Sequence, residues 1–342
     1  MDNLINHPGV IAGFAVIVVI MLVLDLGVLN KKSHEIKNGE AISWSLLWIS
    51  LAMIFSGVIY QFMGVEKFAQ FQSAYWIEKA LSVDNLFVFI LVFNYYKVKK
   101  EYQHKVLFWG ILGALVMRAV FIFAGVGLIK LTYLPPFELF GAKFTLSHVG
   151  DVAPDYTLKE FFRPNVILTV FGFFLIYAGI TSWFAKDDDT EKDFSNNIGA
   201  KFVKRFYKVK NKYFEDKFFV VQDGIRYATL LFVVLAVIEF TDLIFAVDSI
   251  PAIFAIAPDD PMILYTSNIF AILGLRSLYF LLANFMYMFS KLKYGLAIIL
   301  TFIGFKMVFA PFLDISSVLS LCIVAGVLML SVIASLLFPE KK

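Results

Sequence analysis

The sequence predicts an all-α polytopic membrane protein: nine transmembrane helices, N-terminus outside, C-terminus in the cytoplasm. Three observations carry that prediction. Hydrophobic residues make up 60% of the 342-residue chain, mean hydropathy is +0.79, and charged residues reach only 17%, against about 25% in soluble domains. Nine apolar runs are each long enough to cross a hydrocarbon core, which takes about 20 residues. Lysine and arginine gather in the loops of one side.

The spans are read at 9–29, 41–63, 75–96, 106–129, 166–184, 228–256, 263–283, 293–312 and 316–338. The opening MDNLINHPGV lacks the basic n-region of a signal peptide, so the first run is expected to stay as a helix. The sixth run is long, and an interruption is expected within it. Loops after odd-numbered spans hold 21 basic residues and the opposite loops hold 5. Without the two longest loops, 186–226 and 130–165, the balance is 11 to 1. Cytoplasmic loops carry the excess, which sets the orientation in the plasma (inner) membrane. Segment 186–226 mixes signs and reads as a cytoplasmic linker, with a short surface helix at 199–212 as an option; a plain solvated linker is preferred over one whose bases touch anionic headgroups.

Composition excludes several chemistries. A net charge of +3 gives no sign of nucleic-acid binding. Cys322 is the single cysteine, so the chain has no internal disulfide and no CxxC pair. The four histidines lie outside the apolar cores. No prosthetic group is expected.

Two stretches repeat. EKALSVDNLFVFILV (78–92) matches DLIFAVDSIPAIFAI (242–256), pairing Glu78 with Asp242, Asp84 with Asp248 and Asn85 with Ser249. The following helices carry Arg118 and Arg276, and the third helices read LTVFGFFLIYAG (168–179) and LTFIGFKMVFA (300–310). The unit is three helices, an odd number, so the copies run in opposite directions as an inverted repeat. The expected organisation is a single transmembrane domain with a first repeat at 75–184 (spans three to five) and a second at 228–312 (spans six to eight). Accessory helices occupy 9–63 and 316–338.

Asp25, Glu78, Asp84, Glu239, Asp242 and Asp248 all fall inside these spans. A charge at the bilayer centre costs about 2.5–3.5 kcal/mol on insertion scales, so such groups face a bundle interior or a wet cavity. A cavity lined by carboxylates suits a cation. Carboxylate, amide and hydroxyl oxygens favour hard ions such as Mg²⁺, Ca²⁺ and Mn²⁺, with Asn85, Ser249 and Asn268 available to complete the shell. Lys79, Arg118, Arg276 and Lys306 lie at the same depth as charge partners, or, for the lysines, as snorkelling side chains. Asp25 lies near the end of span one, outside the repeat, as an accessory candidate. Pro251 cannot donate to the carbonyl of Val247, so a break is expected beside Asp248.

At YWIEKALSVDNLFVF (75–89), EFTDLIFAVDSIPAIFAI (239–256), TSNIFAILGLRSLYFLL (266–282) and LKYGLAIILTFIGFKM (292–307), the chain resembles the TerC family, and within it the Alx-type members. The resemblance covers nearly the whole chain. It implies a transporter-type fold of repeated three-helix units and export of manganese, with Mn²⁺ as transported ion rather than cofactor. It maps the family's acidic positions onto Glu78, Asp84, Glu239, Asp242 and Asp248. One departure is visible: the run Gly179-Ile180-Thr181-Ser182 lacks the basic residue of Gly304-Phe305-Lys306-Met307. Some family members are called redox modulators, but this sequence offers no redox machinery.

The leading expectation is therefore a secondary exporter of Mn²⁺, with protons as the counter-transported species, working in a lipid bilayer. The alternative is a non-transporting membrane partner, or a stress-response or redox-modulating protein of the tellurite-resistance kind. An intramembrane aspartyl protease would need paired carboxylates sharing a proton, yet no GxGD string falls inside a span. An enzyme is not expected.

Overall fold

The computed structural model describes residues 38–132, 137–139, 142–144, 165–184, 197–258, 260–285, 291–310, 312–313 and 315–338. At 38, 84, 137–139, 142–144, 247, 248, 284 and 285 the description covers the backbone alone. The expected first span and Asp25 lie outside the described residues.

Helix α1 runs Asn38–Tyr95, 58 residues. A straight helix of that length would reach about 87 Å, nearly three times a hydrocarbon core of about 30 Å. Gly64 interrupts it with φ 84° and ψ 178°, a backbone region open to glycine alone. Ser56 and Gln72 would stand about 24 Å apart on a straight helix. Instead Gln72 Nε2 donates to Ser56 Oγ at 2.8 Å, and Trp76 Nε1 donates to Gln72 Oε1 at 3.0 Å. The rings of Phe55 and Phe71 lie 5.5 Å apart. The helix therefore folds back at Gly64 into two antiparallel arms, which hold the expected spans 41–63 and 75–96.

Helix α2 (Lys100–Leu131) is continuous, and a short antiparallel pair follows, β1 (Phe137–Leu139) with β2 (Ala142–Phe144). Asn165 opens α3 (Val166–Phe184): its carboxamide accepts from Leu168 N at 3.1 Å and donates to Ile129 O at the end of α2, 2.7 Å. One buried side chain thus caps two helix termini.

From residue 197 onward, the segment read as a plain linker is folded. Helix α4 spans Ile198–Phe206, shorter than the expected 199–212, and Asn197 caps it. Strands β3 (Val209–Lys210), β4 (Phe219–Gln222) and β5 (Ile225–Thr229) then form a sheet in the order β3-β5-β4. Asp223 and Gly224 close the β4–β5 hairpin with φ of 52° and 74°, the two-residue turn whose twist suits paired strands. The sheet is fastened to the end of α1 and the start of α2. Tyr213 Oη donates to the Tyr96 carbonyl at 2.7 Å, and Lys105 Nζ lies 2.9 Å from Asp216 Oδ2. The hydrogen bond from Lys105 holds the Asp216 carboxyl below its ordinary range, and burial pushes the Tyr213 phenol up.

Helix α5 (Leu230–Phe254) continues through Pro251. The interruption expected in this span is absent because Pro251 sits in the last turn, where a missing N–H removes one bond and little helix remains to disrupt. The break falls in the next span. Helices α6 (Pro261–Ile272) and α7 (Leu275–Phe285) form a bent pair, 42° apart, around Leu273 and Gly274. Gly274 has φ 82°, and the Trp48 indole occupies the space a Cβ would need, 2.6 Å away. Asp260 caps α6, accepting from Ile263 N at 3.1 Å and pairing with Lys67 at 2.5 Å. Helices α8 (Leu292–Phe309) and α9 (Ser317–Leu337) complete the bundle. Among the described residues six helices are long and apolar enough to cross a membrane, seven if the bent pair is one span.

Helices α3 and α8 touch backbone to backbone. A Cβ on Gly304 would stand 2.6 Å from the Gly172 carbonyl oxygen, and one on Gly172 would stand 2.9 Å from that of Gly304. Small residues permit such approach where lipid supplies no hydrophobic drive between helices. The contact also aligns LTVFG (168–172) with LTFIG (300–304), so the residue matching Lys306 is Phe174. Gly304→Ala is expected to destabilise the purified protein by about 1–3 kcal/mol, because the opposing atom is backbone and cannot rotate away. Gly57, with nothing within 4 Å of its would-be Cβ, is the contrast: Gly57→Ala should be neutral or raise stability by up to about 1 kcal/mol. Thermal unfolding of both variants in detergent checks the pair.

Candidate ion-binding site

The site forms where the second arm of α1, α2 and α5 meet. On α1, Glu78 and Ser82 lie one turn apart and share a face. Glu78 is fully buried, and its Oε1 takes an ion pair from Arg118 Nη1 and a hydrogen bond from Ser82 Oγ at 3.3 Å. The same guanidinium reaches α5: Arg118 Nη2 lies 3.5 Å from Asp242 Oδ1, and Nη1 lies 3.5 Å from Ser249 Oγ. One arginine, 1% exposed, thus stands between carboxylates from the two matching motifs. Glu78 Oε2 and Arg118 Nε are buried and have no hydrogen-bond partner among the described atoms. With both acids ionised the trio carries one net negative charge.

Glu239 lies one turn before Asp242 on α5, half-buried, with its carboxylate pressed on Gly113 of α2. A side chain at position 113 would collide with it, so a glycine there is what lets the acid enter the helix interface. Asn85 and Asn268 are buried, and both amide atoms of Asn268, on α6, lack a described partner. The side chains of Asp84 and Asp248 lie outside the described residues. Among the described residues no three His, Cys, Asp or Glu side chains gather into a metal-holding group.

The basic residues differ in role. Arg118 is the ion-pair partner. Lys79 follows Glu78 but points about 100° away, donating to the carbonyls of Ala271 at 3.1 Å and Leu273 at 3.4 Å. Those carbonyls end α6 at the break, where they lack intrahelical donors and the helix dipole is negative. The lysine read as an acid's partner or a snorkelling side chain is therefore a buried cap on the broken span. Its signal in the sequence was Gly274 inside an otherwise apolar run. Lys306 donates to Ser320 Oγ on α9 at 2.9 Å, and Arg276 is buried at the start of α7.

A family model described as integral membrane protein TerC family matches residues 63–342. The chain belongs to the TerC family. Its curated relatives include an uncharacterized membrane protein of Myxococcus xanthus, 40% identical over 337 residues, covering 97% of this chain and 93% of that one. Proteins bearing the provisional name membrane-bound redox modulator Alx are similar over the same extent. That of Salmonella typhi is 37% identical and that of Escherichia coli (strain K12) 36%, each over 340 residues, covering 97% of this chain and 95% of the relative. No solved structure matches. The chain is thus a multi-pass TerC membrane protein with Alx-named homologues along its length.

Removing one member of a buried ion pair strands the other, at about 3–5 kcal/mol. Arg118→Met is expected to destabilise this TerC protein on that scale by thermal unfolding. Adding Glu78→Gln should recover part of the loss, because the fully buried charge is then gone and the less buried Asp242 alone is left without the guanidinium. A double variant no more stable than Arg118→Met would show that the pair is not what holds these helices.

Proposed function

We propose that this TerC protein is a secondary transporter exporting a divalent metal cation, with Mn²⁺ as the most fitting cargo and protons as the counter-transported species. The observation that carries the reading is the meeting of Glu78 and Asp242, matching positions of two sequence repeats, at one buried guanidinium. Two acids share one arginine here, and an oxygen of Glu78 has no hydrogen-bond partner among the described atoms.

An inverted repeat accounts for the arrangement. A two-fold axis in the membrane plane brings equivalent residues together where it passes, and the approach of Glu78 and Asp242 at Arg118 and of Gly172 to Gly304 fits such an axis. With the arms of α1 counted separately and the bent pair as one span, the described residues hold eight candidate crossings, and the apolar run at 9–29 would be a ninth. The basic-residue balance supports an N-terminus outside the plasma membrane and a C-terminus in the cytoplasm.

In this reading Arg118 stands in for cargo. Its guanidinium neutralises Glu78 while the site holds no cation, and a divalent ion entering from the cytoplasm competes for the same oxygens. Asp84, Glu239, Asp248, Asn85, Ser249 and Asn268 are the candidates to complete an oxygen shell suited to Mn²⁺. Once the metal leaves, Arg118 takes back Glu78, and the counter-transported protons go to the carboxylates that the guanidinium leaves unpaired. The redox role in the name of the Alx relatives would be indirect here, because Cys322 is the single cysteine.

The test is Mn²⁺ flux in proteoliposomes. Glu78→Gln and Asp242→Asn should each lower the initial rate at least tenfold while the protein still elutes as a folded species. Undiminished flux in both would remove this site from the mechanism. Absence of flux in the parent protein, alongside retained metal binding, would favour a membrane partner that transports nothing.

A further inference from the structure

Helix α4 divides its surface into three arcs. At about 100° per residue, Ile198, Phe202 and Phe206 fall within about 80° of one another, and all three are exposed, at 60%, 47% and 63%. The next arc holds Gly199, Val203 and Ala200, all buried. Lys201, Lys204 and Arg205 fill the remainder, and all are exposed. The apolar exposed arc adjoins the packed arc, and the basic arc lies beyond it.

The packed arc meets the membrane-spanning helix α5. A Cβ on Gly199 would overlap the carbonyl of Ala236, and the rings of Phe202 and Phe240 lie 5.4 Å apart. Ala236 and Phe240 stand about 9 and 15 Å along α5 from its first residue, so α4 lies beside the first turns of a span. Its exposed phenylalanines continue the apolar outer surface of that span. Three cations stand beside them, which fits anionic headgroups at the edge of the hydrocarbon.

We propose that α4 is an interfacial anchor that seats its Ile198–Phe202–Phe206 stripe in the acyl boundary and binds the anionic bilayer surface through Lys201, Lys204 and Arg205. The occupant is the membrane itself: charge complementarity and continuity with the outer face of α5 both point there. The anchor ties the β3–β5–β4 sheet to the bilayer. It rests on the packing of α4 and is independent of the ion the bundle carries.

The test uses the full chain in vesicles of phosphatidylcholine, with or without phosphatidylglycerol. In a Cys322→Ser background, a nitroxide on Phe202→Cys is expected to be shielded from a water-soluble nickel chelate and open to oxygen. The same label on Asp223→Cys, at the hairpin turn, should collide freely with the chelate. By native mass spectrometry the parent chain should retain phosphatidylglycerol over phosphatidylcholine. Lys201→Gln, Lys204→Gln and Arg205→Gln together should lower that retention, by about fivefold per charge. Three equivalent neutralisations at Lys99, Lys100 and Lys217 should leave it largely intact. The proposal is overturned if the label at 202 meets the chelate as readily as that at 223, or if the α4 triple variant keeps the lipid preference. It is also overturned if dissolved inorganic phosphate displaces phosphatidylglycerol, which would make α4 a free-anion site.

Discussion

A buried guanidinium shared between two carboxylates is the constraint around which this bundle is organised. Glu78 is sealed from solvent, and a lone carboxylate in such surroundings would cost several kcal/mol. Arg118 meets that demand only if α2 lies against the second arm of α1, and it reaches Asp242 only if α5 joins them. Ser82 and Ser249 add neutral oxygens to the same cluster. Three helices are therefore held in one register by directional charge pairing, in a setting where apolar faces alone discriminate poorly between neighbours.

The remaining helices solve a different problem, close approach without bulk. Gly172 and Gly304 bring α3 and α8 into backbone contact, Gly113 admits the Glu239 carboxylate beside α2, and Gly274 leaves room for Trp48. On α9 the buried positions include Ser317, Ser320, Ser331 and Ser335. Ser335 Oγ accepts from Lys291 N at 2.9 Å, and Ser320 Oγ accepts from Lys306. Small and polar residues thus mark the inner faces here, while many large apolar side chains, among them Phe62, Phe173 and Leu330, face outward.

Much of this was legible in the chain. Hydropathy located the described helices because each crossing needs its own apolar length. The doubled Glu-x₅-Asp and Asp-x₅-Asp motifs pointed to Glu78, Asp242 and Arg118 before any coordinates. What pattern reading missed depends on partners distant in sequence. Pro251 suggested a break in α5, but a proline in a last turn disrupts almost nothing. The actual break at Gly274 depends on Trp48 and Lys79, far away along the chain. Lys79 looked like a counter-ion because carboxylates are the obvious partners of a buried ammonium, whereas broken helices supply carbonyls that serve as well. Residues 209–229 were hidden for another reason. Their alternation and Asp-Gly turn are strand signals, yet the charge-rich composition around them reads as solvated linker.

Lys79 and Glu78 are consecutive residues of one rigid helix, and they grip different things: Lys79 the frayed end of α6, Glu78 the guanidinium of Arg118. A rotation of this arm carries both side chains with it, so a turn large enough to part Glu78 from Arg118 also draws Lys79 away from the carbonyls of Ala271 and Leu273. The peptide bond between these two residues therefore links, like a crank, the charge cluster at Arg118 to the bend between α6 and α7.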